Sequence, residues 1–174
     1  NLADKLERRF SWVRKLNARN HPLQALPMDT ATPYLQGHVV VVGYTRLGRA
    51  LSNELKLRET PHVIVDTSRD LVAQLRNAGQ AAIAGEYTEA ETLVQAHVAT
   101  ADHLLIAIES ATILQVLIEH AVALNPRVAI YVHAKSQDEG TILGATRQVR
   151  VYQSESSICA SMLRDMTKTE TTIT

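Results

Sequence analysis

Residues 38–55 read HVVVVGYTRLGRALSNEL, and this stretch indicates the fold most directly. Val39 to Val42 form a continuous β-branched run, which is typical of a strand buried on both faces of a parallel sheet. Gly43 and Gly48 follow at the first and third glycine positions of the pattern G-x-G-x-x-G, in which a strand turns into a helix beneath the pyrophosphate of a dinucleotide. Thr45 replaces the middle glycine. The stretch therefore predicts a strand, a tight turn and a helix, and it leaves the ligand open.

Strands and helices alternate along the rest of the chain. After the strand at 39–42, further strands are predicted at 62–65, 80–84, 103–108, 128–133 and 149–152. Alternation at this spacing indicates right-handed strand–helix–strand crossovers, which make the strands parallel and cover both faces of the sheet with helices. The sequence therefore predicts a Rossmann-like, doubly wound α/β fold with a six-stranded parallel sheet, preceded by an N-terminal helix and a linker.

Local signals predict where several helices begin. Ser68 is expected to cap the helix that follows the second strand. Thr88 opens the sequence TEAE, which fits a capping box ahead of a helix that includes His97. A short helix is expected around Ile142 and Leu143, and Ser154 is expected to cap the last helix.

The N-terminal part of the chain differs from the rest. Residues 1–20 place apolar side chains at helical spacing and carry a net charge of about +4, so an amphipathic helix is predicted there. This helix either packs on its own domain or lies at a membrane surface, where basic residues meet anionic lipid. Residues 21–35 contain three prolines and predict an extended linker. The expected organisation is a juxtamembrane-type helix with a Pro-containing linker at 1–36, a Rossmann-like domain at 37–166, and a flexible tail at 167–174.

Composition excludes several classes of protein. The 18 basic and 18 acidic residues balance, so the chain has no general affinity for nucleic acid. Cys159 is the only cysteine, which excludes an internal disulfide and a cysteine-pair metal site and favours a reducing, cytoplasmic setting. Neither a signal peptide nor an apolar run of roughly 18 residues is present, so the chain itself is expected to be soluble. The seven histidines lack metal-ligand spacing and no G-x-S-x-G elbow surrounds Ser154, so neither a metal site nor a catalytic residue is predicted.

Two positions bear on the identity of a ligand. Asp66 closes the second strand 23 positions after Gly43, where an acidic side chain accepts hydrogen bonds from ribose hydroxyls. The intact carboxylate argues against a ligand with a 2′-phosphate, although Arg69 nearby leaves that ligand open. A Cβ at Thr45 narrows the pocket, and β-branched residues are disfavoured at positive φ. Either a mononucleotide such as AMP or ADP still fits, or the site is reduced to a structural turn, whereas an extended NAD(H) is less favoured than both.

The runs VVVVGYTRLGRAL, VIVDTSRD and AAIAGEYTE, with the order of the six strands, resemble the regulator-of-potassium-conductance N-terminal domain, also called the Trk-A N-terminal domain. Within that group, residues 37–166 are most similar to the cytosolic module of Kef-type monovalent cation/proton antiporters. The family usually has G-Y-G-R-x-G where this chain has Thr45. The resemblance implies ligand contacts at Gly43, Tyr44, Thr45, Arg46, Leu47, Asp66, Thr67, Gly85 and Glu86, to which the residues themselves add Gly48 and Arg69.

The resemblance also implies a function. In this family the domain binds nucleotides or dinucleotides, dimerises and gates an attached transport pore, so a regulatory domain that is not an enzyme is expected. It implies a transmembrane antiporter domain on the N-terminal side and a location at the cytoplasmic face of the inner membrane, within a multi-pass protein. Two alternatives stay open. One is the nucleotide-binding domain of an NAD-dependent oxidoreductase, and the other is a structural dimerisation module with a vestigial pocket.

The predicted helix at 110–124 is apolar over a wide arc, because Ile113, Leu114, Val116, Leu117 and Ile118 spread around it. Such a helix is usually covered on two sides. One side is expected to pack on the sheet and the other to form a homodimer interface, together with the helix at 154–166. The alternative is that the N-terminal helix folds back over this surface and leaves a monomer.

Overall fold

A computed structural model of the chain describes residues 22–27, 32–134, 148–152 and 158–171. The strands are β1 (Val39–Val42), β2 (His62–Asp66), β3 (Ala82–Ala84), β4 (His103–Ile106), β5 (Ala129–His133) and β6 (Val149–Tyr152). The helices are α1 (Arg46–Leu57), α2 (Arg69–Asn77), α3 (Ala90–Gln95), α4 (Ala111–Leu124) and α5 (Ile158–Thr171). Short 3₁₀ helices lie at Thr32–Leu35 and Val98–Thr100.

The strands form a single six-stranded sheet in the order β3-β2-β1-β4-β5-β6, and every neighbouring pair is parallel. Val41 of β1 lies opposite Ile64 of β2 on one side and Leu105 of β4 on the other. All four valines of β1 are fully buried, because the strand lies at the centre of the sheet and has helices on both faces. The Rossmann-like doubly wound fold is confirmed.

Side-chain alternation along the strands assigns the helices to the two faces. Val39 and Val41 share a core with residues of α1 and α5, and Ile64 packs with Val72 and Leu75 of α2. Val40 and Val42 point to the opposite face, in a larger core that includes residues of α3 and α4. Helices α1, α2 and α5 therefore cover one face, and α3 and α4 the other.

Several predicted boundaries need correction. Ser68 is confirmed as the cap of α2, because its side chain accepts a hydrogen bond from the Leu71 amide. Thr88 is not the N-cap of α3. The N-cap position is Glu89, whose amide bonds to the Glu86 carbonyl and whose side chain makes no capping hydrogen bond. His97 is not part of α3. Its φ of 56° is left-handed, so the helix ends before it and a 3₁₀ helix follows.

Strand β2 extends one residue beyond prediction, to Asp66, and β5 begins one residue later, at Ala129. The larger differences, in β3 and β4, have local causes. β3 begins at Ala82 rather than at 80, since the Gln80 amide still bonds to Leu75 of α2. β4 ends at Ile106 rather than at 108, because the chain bends away after the Ala107 amide has bonded to Val42. Helix α5 continues to Thr171, into the predicted flexible tail. The predicted helices at 1–20 and around 142–143, and Ser154, lie outside the described residues.

The predicted linker contacts the domain wherever it is described. Tyr34 donates its hydroxyl to the His62 carbonyl and accepts from the His62 amide, both at 3.2 Å. Leu35 is buried in the larger core, and the Ala84 amide of β3 donates to the Leu23 carbonyl. In the part of the chain that the structure describes, no helix is long and apolar enough to span a bilayer.

Candidate functional site

The strand order reverses between β1 and β4, and in open α/β sheets the crevice at the carboxyl ends of such strands is where ligands bind. The Gly43–Gly48 turn follows β1, and Ala107 follows β4 at this edge. Asp66 ends β2 and Gly85 follows β3. The fold therefore brings the predicted site residues to one edge of the sheet.

Gly43 and Gly48 are required by the close crossing of α1 over the end of β1. Gly43 has a φ of +88°, and a Cβ there would lie 2.6 Å from a methyl of Ile108. A Cβ on Gly48 would lie only 1.8 Å from the Gly43 carbonyl oxygen, well inside any allowed contact. The two glycines are thus explained by packing before any ligand is considered.

Thr45 is the N-cap of α1 and is not strained. Its φ of −65° is ordinary extended backbone, so the positive φ that would disfavour a β-branched residue falls at Gly43 instead. The Thr45 hydroxyl donates to the Ala107 carbonyl at 2.9 Å and accepts from the Gly48 amide at 3.3 Å. The residue that replaces the middle glycine therefore joins the β1 turn to the segment after β4.

The start of α1 offers backbone donors. The first amides of a helix have no carbonyl partner within it, and the helix dipole makes this end favourable for an anion. The Thr45 hydroxyl takes up the amide of Gly48. The amides of Arg46 and Leu47 precede it in the first turn, and the Arg46 side chain is exposed at the rim.

Asp66 is the centre of the arrangement, and its side chain is held between three loops. One carboxylate oxygen accepts from the Tyr44 amide at 2.8 Å and the other from the Ser68 amide at 2.9 Å. The Tyr87 hydroxyl donates to the first oxygen at 3.4 Å. Asp66 is buried, with 8% of its surface exposed. A carboxylate has four lone-pair sites, so it has capacity for a further donor.

Tyr87 was not predicted from the sequence. Burial, followed by the neighbouring Asp66 charge, raises the pKa of Tyr87 to about 12, so the phenol stays protonated and acts as a donor. Thr67 lies beside its hydroxyl. The only local signal is its place in the AGEYT segment after β3, since its contact with Asp66 depends on how β3 pairs with β2.

The remaining predicted residues lie around this centre. Gly85 donates its amide to the Asp66 carbonyl at 3.0 Å, and a Cβ there would lie 2.4 Å from the Thr92 hydroxyl. The Tyr44 ring is half-buried, with the Arg49 guanidinium 5.9 Å from its centroid. The side chains of Thr67, Arg69 and Glu86, which lie around this centre, are exposed.

The chemistry of this edge suits binding. It combines helix-start amides, a hydrogen-bonded carboxylate and exposed arginines, which are groups that recognise phosphate and hydroxyls. Among residues 22–27, 32–134, 148–152 and 158–171, no three His, Cys, Asp or Glu side chains are grouped so as to hold a metal ion.

The TrkA-N domain profile matches residues 39–151, which is more than half of the chain. The chain belongs to the TrkA-N domain family. This TrkA-N domain is 30% identical, over 88% of its length, to Escherichia coli YbaL, named as a cation/proton antiporter, and covers 29% of YbaL. It is 26% identical over 72% of its length to Alkalimonas amylolytica KefB, named as a K⁺ efflux antiporter, and covers 18% of KefB. The chain thus spans less than a third of either relative.

Solved structures agree with this assignment. The TrkA-N domain of E. coli YbaL is 29% identical, with a TM-score of 0.66, and the match covers 74% of this chain and 96% of that one. The GsuK channel bound to NAD is 26% identical with a TM-score of 0.61, covering 85% of this chain and 25% of the channel. GsuK is also known bound to ADP. The Shewanella denitrificans Kef C-terminal domain in its AMP-bound form, at 19% identity and a TM-score of 0.57, shares the fold.

Proposed function

We propose that this TrkA-N domain is the nucleotide-sensing regulatory domain of a Kef- or YbaL-type monovalent cation/proton antiporter, and that it is not an enzyme. It binds an adenine nucleotide, AMP or ADP in preference to NAD(H), at the turn between β1 and α1. The transport domain lies N-terminal to it in a multi-pass protein of the inner membrane, with this domain at the cytoplasmic face. Nucleotide occupancy then regulates transport through a homodimer.

The observation that supports nucleotide binding is the position of Asp66. Its carboxylate accepts a hydrogen bond from the Tyr44 amide of the glycine turn and lies at the carboxyl end of β2, directly beside the turn that leads into α1. A ribose whose hydroxyls donate to Asp66 extends its 5′-phosphate toward the start of α1, where helix amides and the Arg46 side chain favour an anion. In related chains of known structure, GsuK holds NAD and ADP.

The preference for a mononucleotide rests on Thr45. A dinucleotide requires its pyrophosphate to approach the backbone closely at the middle glycine of the turn. Here a side chain stands at that position, and its hydroxyl already occupies the Gly48 amide. A terminal phosphate of AMP or ADP needs fewer close backbone contacts and is accommodated at the Arg46 and Leu47 amides.

The homodimer proposal rests on α4. Leu114 and Leu117 are fully buried toward the sheet, whereas Ile113 and Val116 are half-buried on an adjoining side of the helix. A two-fold contact through this side of α4 should bury at least ~1,200 Å² in total to be stable. Helix α5, which the sequence also placed at the interface, lies on the other face of the sheet and is left out of this proposal. A dimer with two arrangements of its subunits could be regulated by a nucleotide that binds one arrangement more tightly than the other.

Calorimetric titration of the 174-residue chain with AMP, ADP, ATP and NADH tests the nucleotide proposal. AMP or ADP should bind most tightly. Asp66→Ala should weaken binding by about 1.5–3 kcal/mol, the range for hydrogen bonds to a charged group. Asp102→Asn is the matched control. Asp102 is an exposed acid at the amino end of β4, whereas the site lies at the carboxyl ends of the strands, so this substitution should leave nucleotide affinity unchanged.

The same titration separates the alternatives. If NADH binds most tightly, the mononucleotide preference is wrong and the dinucleotide interpretation stands. If none of the four ligands binds, the interpretation as a structural dimerisation module is favoured. If Asp66→Ala binds as well as the unmodified chain while remaining folded, the ribose lies elsewhere.

A further inference from the structure

Residues 22–27, here called the strap, cover the free edge of β3. An edge strand presents unpaired backbone groups that other chains can pair with. The Ala84 amide donates to the Leu23 carbonyl at 2.7 Å, and the Ala82 carbonyl accepts from the Arg76 guanidinium at 2.7 Å. Two outward groups of β3, the Ala84 amide and the Ala82 carbonyl, are thus bonded to the strap and to one arginine.

Arg76 holds the strap through its planar fork. The Nη1 atom donates to the Pro22 carbonyl at 2.9 Å, and the Nη2 atom donates to the carbonyls of Leu23 and Ala25. The residue lies in the last turn of α2, where a cation is favourable for the helix dipole. One side chain therefore joins the end of α2, the edge of β3 and the strap.

The strap also makes apolar contacts on both faces of the sheet. Leu23 packs against the cluster that contains Ile64 and Ala84, and Tyr44 of the glycine turn packs against the same cluster. Leu26 packs against the larger core on the opposite face. The strap therefore passes around the sheet edge at the end where the candidate nucleotide site lies.

We propose that the strap is the coupling element between the nucleotide site and the chain that precedes it. This inference rests on the proposed function. Ala84, which holds Leu23, is followed directly by Gly85, and it lies opposite Asp66 in the sheet register. A ligand that orders Tyr44, Asp66 and Gly85 stabilises the surface on which the strap docks.

The coupling follows from linkage between two states of the strap, docked and undocked. A nucleotide that binds the docked state more tightly shifts the strap toward docking, and by reciprocity loss of the strap weakens nucleotide binding by the same factor. Residues 1–21 enter the domain through Pro22, so docking sets where that preceding segment leaves the domain. Nucleotide occupancy is thereby converted into a change at the N-terminal entry point.

Hydrogen exchange at the Ala84 amide of the 174-residue chain, with and without AMP, tests this inference. Arg76→Ala should speed exchange at Ala84 by about tenfold or more in the nucleotide-free protein. Arg76→Lys should fall close to Arg76→Ala, because a single ammonium cannot reproduce the fork. Arg127→Ala, an exposed arginine in the turn before β5, is the matched control and should change nothing. Exchange at the β1 amides reports that each variant stays folded.

AMP should slow exchange at Ala84 in the unmodified chain, and Arg76→Ala should bind AMP about tenfold more weakly. If hydrogen exchange at Ala84 is unchanged in both Arg76 variants, the claim that Arg76 holds the strap against β3 is wrong. Faster exchange with an unchanged Kd for AMP would overturn the coupling and leave the proposed function standing. Absence of AMP, ADP and NADH binding to the unmodified chain would overturn the proposed function, and the coupling with it.

Discussion

Thr45→Val removes one hydroxyl from the candidate site and keeps the shape of the side chain. In the native chain that hydroxyl accepts from the Gly48 amide and donates to the Ala107 carbonyl. Valine offers neither group, so the first turn of α1 loses its cap and the segment after β4 loses its tie to the β1 turn. Thr45→Ser keeps both hydrogen bonds and is the matched control.

The magnitude follows from the two lost interactions. Loss of an N-cap side chain costs about 1 kcal/mol, and loss of a further neutral hydrogen bond costs about 1 kcal/mol. Thr45→Val should therefore lower the free energy of unfolding by ~2 kcal/mol, or Tm by ~4–8 °C for a domain of this size. Thr45→Ser should stay within ~0.5 kcal/mol of the native chain.

Urea unfolding followed by circular dichroism gives both free energies. Equal stability of Thr45→Val and Thr45→Ser would refute the assignment of the hydroxyl as a cap and bridge. Thr45→Gly asks a separate question, because glycine caps a helix almost as well as threonine, with a cost of only a few tenths of a kcal/mol. It should raise affinity for NADH relative to AMP, and an unchanged ratio would refute the steric reason given for mononucleotide preference.

Three further outcomes are expected. Gly48→Ala should lower the free energy of unfolding by at least about 3 kcal/mol, because its methyl would lie 1.8 Å from a backbone oxygen. Gly79→Ala has open space but a φ of +76°, so it should lower that free energy by about 1–2 kcal/mol. Similar urea midpoints for the two variants would contradict this. Burial lowers the pKa of His38 and His62 below 6.5, so the unfolded chain binds more protons than the folded chain. The free energy of unfolding should therefore fall as pH drops below 6.5. Urea titrations that give the same free energy of unfolding at every pH would contradict this. Val116→Asp should convert the proposed dimer to a monomer in sedimentation, and an unchanged mass would place the interface elsewhere.

The fold was predictable from sequence because its signals are local. A run of four β-branched residues has few uses other than a central parallel strand, and Gly43 and Gly48 have the spacing that a helix crossing over a strand end requires. Asp66 was predictable for the same reason, since its position depends only on the length of one strand–helix–strand unit. The register of β1 with β2 then brings it to the Tyr44 amide.

Other features depend on pairings distant in sequence or on competing local bonds. Tyr87 reaches Asp66 only because β3 pairs with β2, and its place in the segment after β3 does not by itself identify Asp66 as its partner. Thr88 fits a capping box, but the Glu86–Glu89 turn competes with it and moves the helix start. Residues 22–27 have no periodicity, so their docking through Arg76 is visible only in three dimensions.

The packing duties of Gly43 and Gly48 have an evolutionary consequence. Natural selection for folding alone retains both glycines, since a methyl at either position collides with neighbouring atoms. A lineage that abandoned nucleotides would therefore keep most of its fingerprint, which then records ancestry rather than present use. Arg46 and Arg69 are exposed, so core packing does not constrain them. Among orthologues, substitutions at these two positions should therefore be the first sign of a change of ligand.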